Sequence, residues 1–505
     1  MKLVAAALSA LLLVGSAPAG AAEDQPSLAS LLGVGSVDPH EVTLALRDLA
    51  LTLPTLSGPE ARAAHRMLAR PTDGGADPEG NGYPSTGSWT FTCSLRFCFH
   101  WVTTGDDAVD PTDADLNGTP DQIDLTSATM ETVWDTEVTG YGLRAPKDDS
   151  TSVLPFAAGN PDGRFDVYLA NIGDDSLYGY CSSDDPETQG NTRSDVSAYC
   201  VLDNDYSLAE YGAPPLNSLQ VTAAHEFFHA VQFAYSYLTD SWLLESLAAW
   251  IEDEVYTDVN DNLQYLTPSP ISSRGQSIDL GDPDHVYGSW IWWEFLSTNL
   301  GVTEARALVA DILTQTDGAP GGAAMVSSDA LATAFSNAGV HLGNSMAWFG
   351  IANATPGTSY PEGASYPASG FAASATVSSS SSAVTRSVSL NHLASKAMRF
   401  TPGQGMGAGA KLRVIVDLPR AASTPGFLAI VRFLDGSSLL RVPTLNGDGI
   451  GSLRLRFDRS VVRDVLLGFG NGSTRFDCFQ GTFFSCEGRP LDNGMRTIVR
   501  TVPQP

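Results

Sequence analysis

Residues 213–256 read APPLNSLQVTAAHEFFHAVQFAYSYLTDSWLLESLAAWIEDEVY, and the pattern in them sets the architecture around them. Apolar Leu219, Ala223, Phe227, Val231 and Ala234 recur at helical spacing behind a capping-box-like start at Asn217 and Gln220. Residues four apart share a helix face, so His225 and His229 can reach one ion while Glu226, about 100° round, flanks it. A random chain of 505 residues with 8 His and 16 Glu would contain H-E-x-x-H about 0.004 times. Chance is a poor account of HEFFH.

A catalytic zinc site takes three protein ligands and keeps a fourth position for water. The extension H-E-x-x-H-x-x-G-x-x-H fails here, because Gln232 and Tyr235 stand where Gly and His would be needed. The segment SWLLESLAAWIEDEVY supplies a glutamate instead. Glu245 is favoured, since Asp240 or Ser241 can cap a helix in which it sits one turn in, and small Ala248 and Ala249 let two helices approach. The short SYLTD turn folds that helix back onto the first. Glu252, seven residues on and on the same face, is placed to accept a hydrogen bond from a ligand imidazole. The competing reading makes both histidines satisfied core residues, and it leaves Glu226 on a mostly apolar face without a reason to be desolvated. Activating a metal-bound water is such a reason.

Outward from this pair, SWTFTCSLRFCFHWVTTGDDA at 88–108, GRFDVYLANIG at 163–173 and SAYCVLD at 197–203 read as strands, and helical patterning dominates 216–353. The expectation is an α+β (mixed) domain over 83–353, its strands preceding a helical half. Residues 22–82 carry helical patterning in HEVTLALRDLALTLPTLSGPEARAAHRMLAR and then turn polar, as a propeptide or an N-terminal helical cap would. Lys2, the apolar run Leu3 to Val14, and small Ala19 and Ala21 mark 1–21 as an export signal, too short to span a bilayer. Composition shifts to Gly, Pro, Ala and Ser over 354–383, a linker. Beyond it KLRVIVDL, GFLAIVRFL, GSLRLRF and VVRDVLLGFG, parted by turn signals, predict an all-β sandwich over 384–505.

A formal net charge of −29 repels polyanions, so nucleic acid is excluded as a partner, and no later segment is apolar enough for membrane insertion. Asp outnumbers Glu 41 to 16, which favours turns and oxygen-rich cation sites. In DPTDADLNGTPDQID, Asp113, Asp115, Asn117, Gly118, Asp121 and Asp124 take positions 1, 3, 5, 6, 9 and 12 of an EF-hand-like loop, with the Thr119 carbonyl at position 7. Position 12 is Asp rather than Glu and Pro120 is unusual for a paired EF-hand, so a single structural Ca2+ loop is expected. Six cysteines in an exported chain favour local disulfides, Cys93 with Cys98, Cys181 with Cys200 and Cys478 with Cys486. Trp290, Trp292 and Trp293, at helical spacing, read as core or groove lining rather than as a carbohydrate platform.

HEFFH at 225–229 followed by WLLES at 242–246 resembles the gluzincin zinc metallopeptidases, the group that includes thermolysin-like enzymes. The series FHWVTTGDDA, DLNGTPDQID, GRFDVYLANIG, HEFFH and HVYGSWIWWEFL is similar to a group of secreted bacterial proteins classed as metalloproteases, over about Trp89 to Leu300. The resemblance implies a zincin-like catalytic domain, Zn2+ held by His225, His229 and Glu245, Glu226 as general base, and a peptide or protein substrate. The His229 to Glu245 interval is shorter than in thermolysin-like enzymes, and Ala249 replaces the Asp they carry four residues after the ligand glutamate. A tetrahedral oxyanion needs a further donor, for which Tyr287 is favoured over His285 because a phenol donates whatever the protonation of its neighbours. The expected function is a secreted zinc-dependent metalloendopeptidase. The alternative is a secreted, non-catalytic binding or surface protein on the same scaffold, and the sequence leaves the oligomeric state open.

Overall fold

Apolar runs that alternate poorly with polar residues need cover on both faces, and the chain supplies it from helices on either side of its first strands. The computed structural model describes residues 27–505 apart from Gly35, Asp38, 74–82, 84–88, Asp106, 150–162, 186–194 and Asp284, so the export signal at 1–21 lies outside the described residues. Three helices come first, α1 (Leu28–Leu32), α2 (Val42–Thr52) and α3 (Gly58–Leu68). The strands β1 (Trp89–Cys93), β2 (Phe97–Val102), β3 (Phe165–Ala170), β4 (Gly179–Ser182) and β5 (Tyr199–Asp203) form one sheet in the order β1-β2-β3-β5-β4. The central β2, β3 and β5 are parallel and buried end to end, and β1 and β4 are antiparallel edges.

Cys93 faces Cys98 across β1 and β2, and Cys181 faces Cys200 across β4 and β5. Both pairs are disulfides, as is Cys478–Cys486, so all six cysteines pair in sequence order. Closed disulfides are the chemistry of an oxidising compartment. No helix among the described residues is long and apolar enough to cross a membrane.

The helical half comprises α4 (Asp121–Trp134), the single-turn α5 (Leu208–Tyr211), α6 (Pro215–Phe233), α7 (Ser241–Val255), α8 (Trp290–Leu300), α9 (Val302–Thr316), α10 (Ser327–Asn337) and α11 (Leu342–Ala354). The helix α6 starts three residues earlier than the capping-box pattern predicts, with Pro215 at its first position, where a missing N–H costs nothing. It runs between the sheet and α7, touching β4 and β5 on one side and α7 on the other. Ala223, Ala224, Ala230, Ala248 and Ala249 are all fully buried, and their small side chains let the helix pair close up. Trp290, Trp292 and Trp293 are enclosed in the same core.

The C-terminal strands are β6 (Ala373–Val377), β7 (Val384–Leu390), β8 (Ala394–Pro402), β9 (Lys411–Asp417), β10 (Pro425–Phe433), β11 (Ser438–Arg441), β12 (Ile450–Arg456), β13 (Val462–Asn471), β14 (Phe476–Asp477), β15 (Arg489–Pro490) and β16 (Met495–Gln504). One sheet has the order β11-β10-β13-β8-β6 and the other β12-β9-β16-β7. Val388, Val414 and Val499 from one meet Phe400, Phe427 and Val465 from the other in a common core, which makes a sandwich.

The expected linker over 354–383 needs correction. Ala373–Val377 is an edge strand paired in parallel with β8, and Tyr360 and Tyr366 are buried in the core shared by the first sheet and the helices. The helix α11 lies flat on the sandwich, its Ala347 and Ile351 packed on Ala397, Leu428 and Leu466. A Cβ added to Gly426 would collide with the Gly343 carbonyl, so helix and sheet meet backbone to backbone there. Glycine and alanine serve close approach in this region rather than flexibility.

Candidate metal centre

Burial of α6 on every side forces its polar residues to find partners inside the protein. His225, His229 and Glu245 are all buried and bring one ligand atom each to within 4.8 Å of the others. Glu245 Oε2 lies 3.2 Å from His225 Nε2 and 3.5 Å from His229 Nε2. Ligands held tetrahedrally around zinc sit about 3.3 Å apart, the spacing seen here.

The outer ring atoms fix the tautomers. His225 Nδ1 meets Glu252 Oε1 at 2.7 Å, and His229 Nδ1 meets Gln232 Oε1 at 2.9 Å. Gln232 Nε2 donates to the Leu244 carbonyl, so its Oε1 must be the acceptor and His229 Nδ1 the donor. With both Nδ1 atoms committed outward, both Nε2 atoms are turned towards Glu245. His229 Nε2 and Glu245 Oε1 have no hydrogen-bond partner although both are buried, a cost that a bound cation would remove. The donor set of two imidazoles and a carboxylate therefore fits zinc.

Charge is already arranged for a cation. Burial opposes a proton on His225, but the carboxylates of Glu245 and Glu252 outweigh it and hold that imidazole's pKa well above its usual value. Burial likewise favours the neutral form of Glu245, yet the imidazoles, His229 foremost, hold its carboxyl down to about 2.

Glu226 lines a groove together with His40, Tyr178, Gly179, Tyr265 and Tyr287. The Tyr287 ring lies 6.0 Å from that of His225, and burial pushes its phenol well up, so it stays a donor. His285 pairs instead with Asp282 and is not among the groove residues.

Two residues that hold Glu226 and Tyr287 carry no signal in the motif. Thr43 Oγ1 donates to Glu226 Oε2 at 2.8 Å and accepts the Cys181 N–H at 2.9 Å. The Tyr287 hydroxyl donates to the His40 carbonyl at 2.6 Å. Both belong to the N-terminal segment, whose pattern announces helices and says nothing of where they dock. Gln232, met in the sequence as the residue that breaks a longer zinc motif, is the partner of His229.

In the acidic loop, Asp113, Asp115 and Asp121 cluster within 4.8 Å. Asp121 and Asp124 sit in the first turn of α4, and Asn117 Nδ2 donates to Asp115 and Asp124. Gly118, at φ +92°, gives its N–H to Asp113. Nothing among the described contacts involves the Thr119 carbonyl. A further acidic group, Asp203, Asp205 and Glu210, comes together beside β5. Asp203 there accepts four backbone N–H groups, from Ile172, Gly173, Asp205 and Tyr206, which gives it a structural task.

No family model and no curated protein matches the chain. Among solved structures, it is similar to a periplasmic inhibitor of g-type lysozyme from Aeromonas hydrophila over 26% of this chain and 100% of that one, at 13% identity and a TM-score of 0.15, a likeness that carries no argument.

Proposed function

We propose that the chain is a secreted zinc-dependent endopeptidase on a zincin-like α+β domain, with Ca2+ steadying the loop from Asp113 to Asp124. The observation that supports this most is the convergence of His225 Nε2, His229 Nε2 and Glu245 on one point, with orphaned buried atoms facing it and the Glu226 carboxylate alongside. Bound there, zinc would polarise a substrate carbonyl and lower the pKa of a water towards about 7.

The chain's own residues do the rest. Glu226 takes a proton from the attacking water and hands it to the departing amine. Tyr287 donates to the carbonyl oxygen as charge builds on it. Glu252 and Gln232 keep the imidazoles in the tautomer and orientation that ligation requires. The outward N–H of Cys181 on edge strand β4, taken by Thr43 Oγ1 in this structure, would be a backbone partner for an extended peptide once Thr43 gives it up.

One observation favours the non-catalytic alternative: the Glu226 carboxylate is held by Thr43 in this structure. The test is therefore run in a Thr43→Ala background. Plasma mass spectrometry should find about one zinc per chain, retained on Glu226→Gln and lost on His225→Ala/His229→Ala. Peptide-library cleavage should be chelator-sensitive and abolished by Glu226→Gln. A chain that binds no zinc, or cleaves equally well as Glu226→Gln, refutes the proposal.

A further inference from the structure

The formal charge of −29 is spread unevenly along the chain. Residues 384–505 hold 16 Lys and Arg against 8 Asp and Glu, whereas residues 1–383 hold 12 against 49. An acidic chain therefore ends in a basic sandwich, and the cations of that sandwich gather on one of its faces.

Buried and open positions alternate along β9, β12 and β16, so the strand register fixes what the outer face of their sheet carries. Arg454 stands directly across from Arg413, and Arg456 from Lys411. On the other side of β9, Arg500 pairs with Ile415, and Arg496 continues the row along β16. Cross-strand partners lie about 5 Å apart and successive outward residues about 7 Å, so four cations share a patch of roughly 5 by 7 Å. Like charges placed opposite one another destabilise a sheet. Among the described residues, Lys411, Arg413, Arg454, Arg456 and Arg500 form no ion pair; those of the sandwich are Arg432–Asp464, Arg475–Asp492 and Arg489–Asp477. Asp417 is the one acid at an outward position of these three strands. Asp458, in the turn after β12, spends its carboxylate on Ser460.

Charge on an edge strand discourages pairing with other chains, which accounts for Arg454 and Arg456 on β12. It does not account for Lys411, Arg413 and Arg500 on the inner strands. The same face also exposes aliphatic side chains: Val442, Leu445, Ile450 and Ile498 are 40–47% exposed, and the first three line a groove with Arg413, Ile415 and Ser452. No aromatic residue occupies an outward position of β9, β12 or β16, so bases and sugar rings find nothing there to stack on.

The acidic part of the chain is held away from this face. The helix α11 packs on the opposite sheet, and His392 in the β7–β8 turn meets Asp279. Gln504, the partner of Lys411, lies nine residues along β16 from Met495, which pairs with Leu390 just before that turn. That is about 30 Å of strand, several times the screening length of about 8 Å at physiological salt.

We propose that this outer face docks the chain on an anionic lipid bilayer, with the arginines on lipid phosphates and the aliphatic side chains at the interface. Charge alone would suit a soluble polyanion equally, and the exposed valine, leucine and isoleucines favour the bilayer. The docking does not depend on the endopeptidase reading.

The test sediments the full chain with vesicles of phosphatidylcholine alone, or of phosphatidylcholine and phosphatidylglycerol in equal parts, and passes it in parallel over immobilised heparin. Binding should require phosphatidylglycerol and weaken as salt is added. Arg413→Thr/Arg454→Thr should lower the affinity for these vesicles about 20- to 30-fold, and Ile450→Thr/Ile498→Thr about tenfold. Threonine suits a strand, so both variants should melt as wild type does. Arg413→Lys/Arg454→Lys keeps the charge and should bind like wild type. A wild type that ignores anionic vesicles, or takes neutral ones equally well, overturns the proposal. So does a threonine variant that binds as tightly as wild type, or a lysine variant that loses as much as its threonine counterpart. Retention on heparin without vesicle binding assigns the face to a soluble polyanion and overturns the bilayer.

Discussion

Replacing Arg70 with Met should cost the α+β part of the protein much of its stability. The guanidinium is fully buried, with Nε 3.0 Å from Asp184, Nη2 2.9 Å from Asp149 and Nη1 on Asp166, whose other oxygen meets His100 Nε2 at 2.9 Å. Burial works against the charge, but Tyr168 and the three carboxylates outweigh it and hold the guanidinium pKa well above its usual value. Asp149, lifted to about 6 by burial, depends on Arg70 to remain ionised at neutral pH. Removing one partner of a buried ion pair costs about 3–5 kcal/mol, because the other charge stays behind without compensation. Three carboxylates share this one cation, so the upper end applies, and about 5 kcal/mol corresponds to a Tm lower by roughly 10–20 °C. Urea melts followed by tryptophan fluorescence suit the question, because all 9 tryptophans lie at or before Trp348 and none is in the sandwich. Arg70→Met/Asp166→Asn/Asp184→Asn should recover most of the loss, since it removes two of the three stranded charges and leaves Asp149, already lifted to about 6, free to take up a proton. A single-variant loss under about 1 kcal/mol, or a triple variant no better than the single one, would show that water carries these carboxylates and that Arg70 anchors nothing.

Gln232→Ala should weaken zinc binding about 10- to 100-fold in a competing-chelator titration, because His229 loses the partner that fixes its tautomer; unchanged affinity would mean packing alone orients the ring. Glu294 is raised to about 8 by burial, with Asp253, Glu254 and Glu362 adding to it, so it binds a proton in the folded chain that the unfolded chain has lost above about pH 4.3. Its contribution to stability is therefore present at low pH and falls as pH rises towards 8, by roughly 2–4 kcal/mol between pH 5 and 8, and Glu294→Gln should flatten the melting profile over that window. Calcium at about 100 times its Kd should raise the Tm by the equivalent of roughly 2.7 kcal/mol, and Asp113→Ala/Asp121→Ala should remove that rise without changing zinc content.

The parts that could be read from the sequence are those whose partners lie nearby along the chain. His225, His229 and Glu245 belong to two consecutive helices joined by a short turn, and each disulfide closes a short loop. Partners distant in sequence left no local trace. Thr43 meets Glu226 across 183 positions and Tyr287 meets His40 across 247. Nothing in an amphipathic helix such as α2 says which surface its apolar face will cover. The same limit explains the misread linker, since Gly, Ala and Ser composition describes a tether and a close backbone contact equally well until Gly343 is seen against Gly426.

The helix that carries Glu245 is finished by the other half of the molecule. Asp240 precedes α7 but makes no capping bond within it, and its Oδ1 accepts the Cys486 N–H instead. One residue into the helix, the Trp242 indole donates to Ser485 Oγ, and Ser485 in turn donates to Asp279, which is paired with His392 of the sandwich. The Gly281 N–H reaches the Phe483 carbonyl in the same disulfide-closed loop. A helix start held by side chains and backbone from position 478 onward cannot shift along its axis without breaking those bonds. Glu245 sits one turn beyond that clamp, and a displacement of about 1 Å there would take its carboxylate out of register with both imidazoles. The sandwich, joined through α11 and clamped onto α7, thus acts on the candidate metal centre through rigid contact.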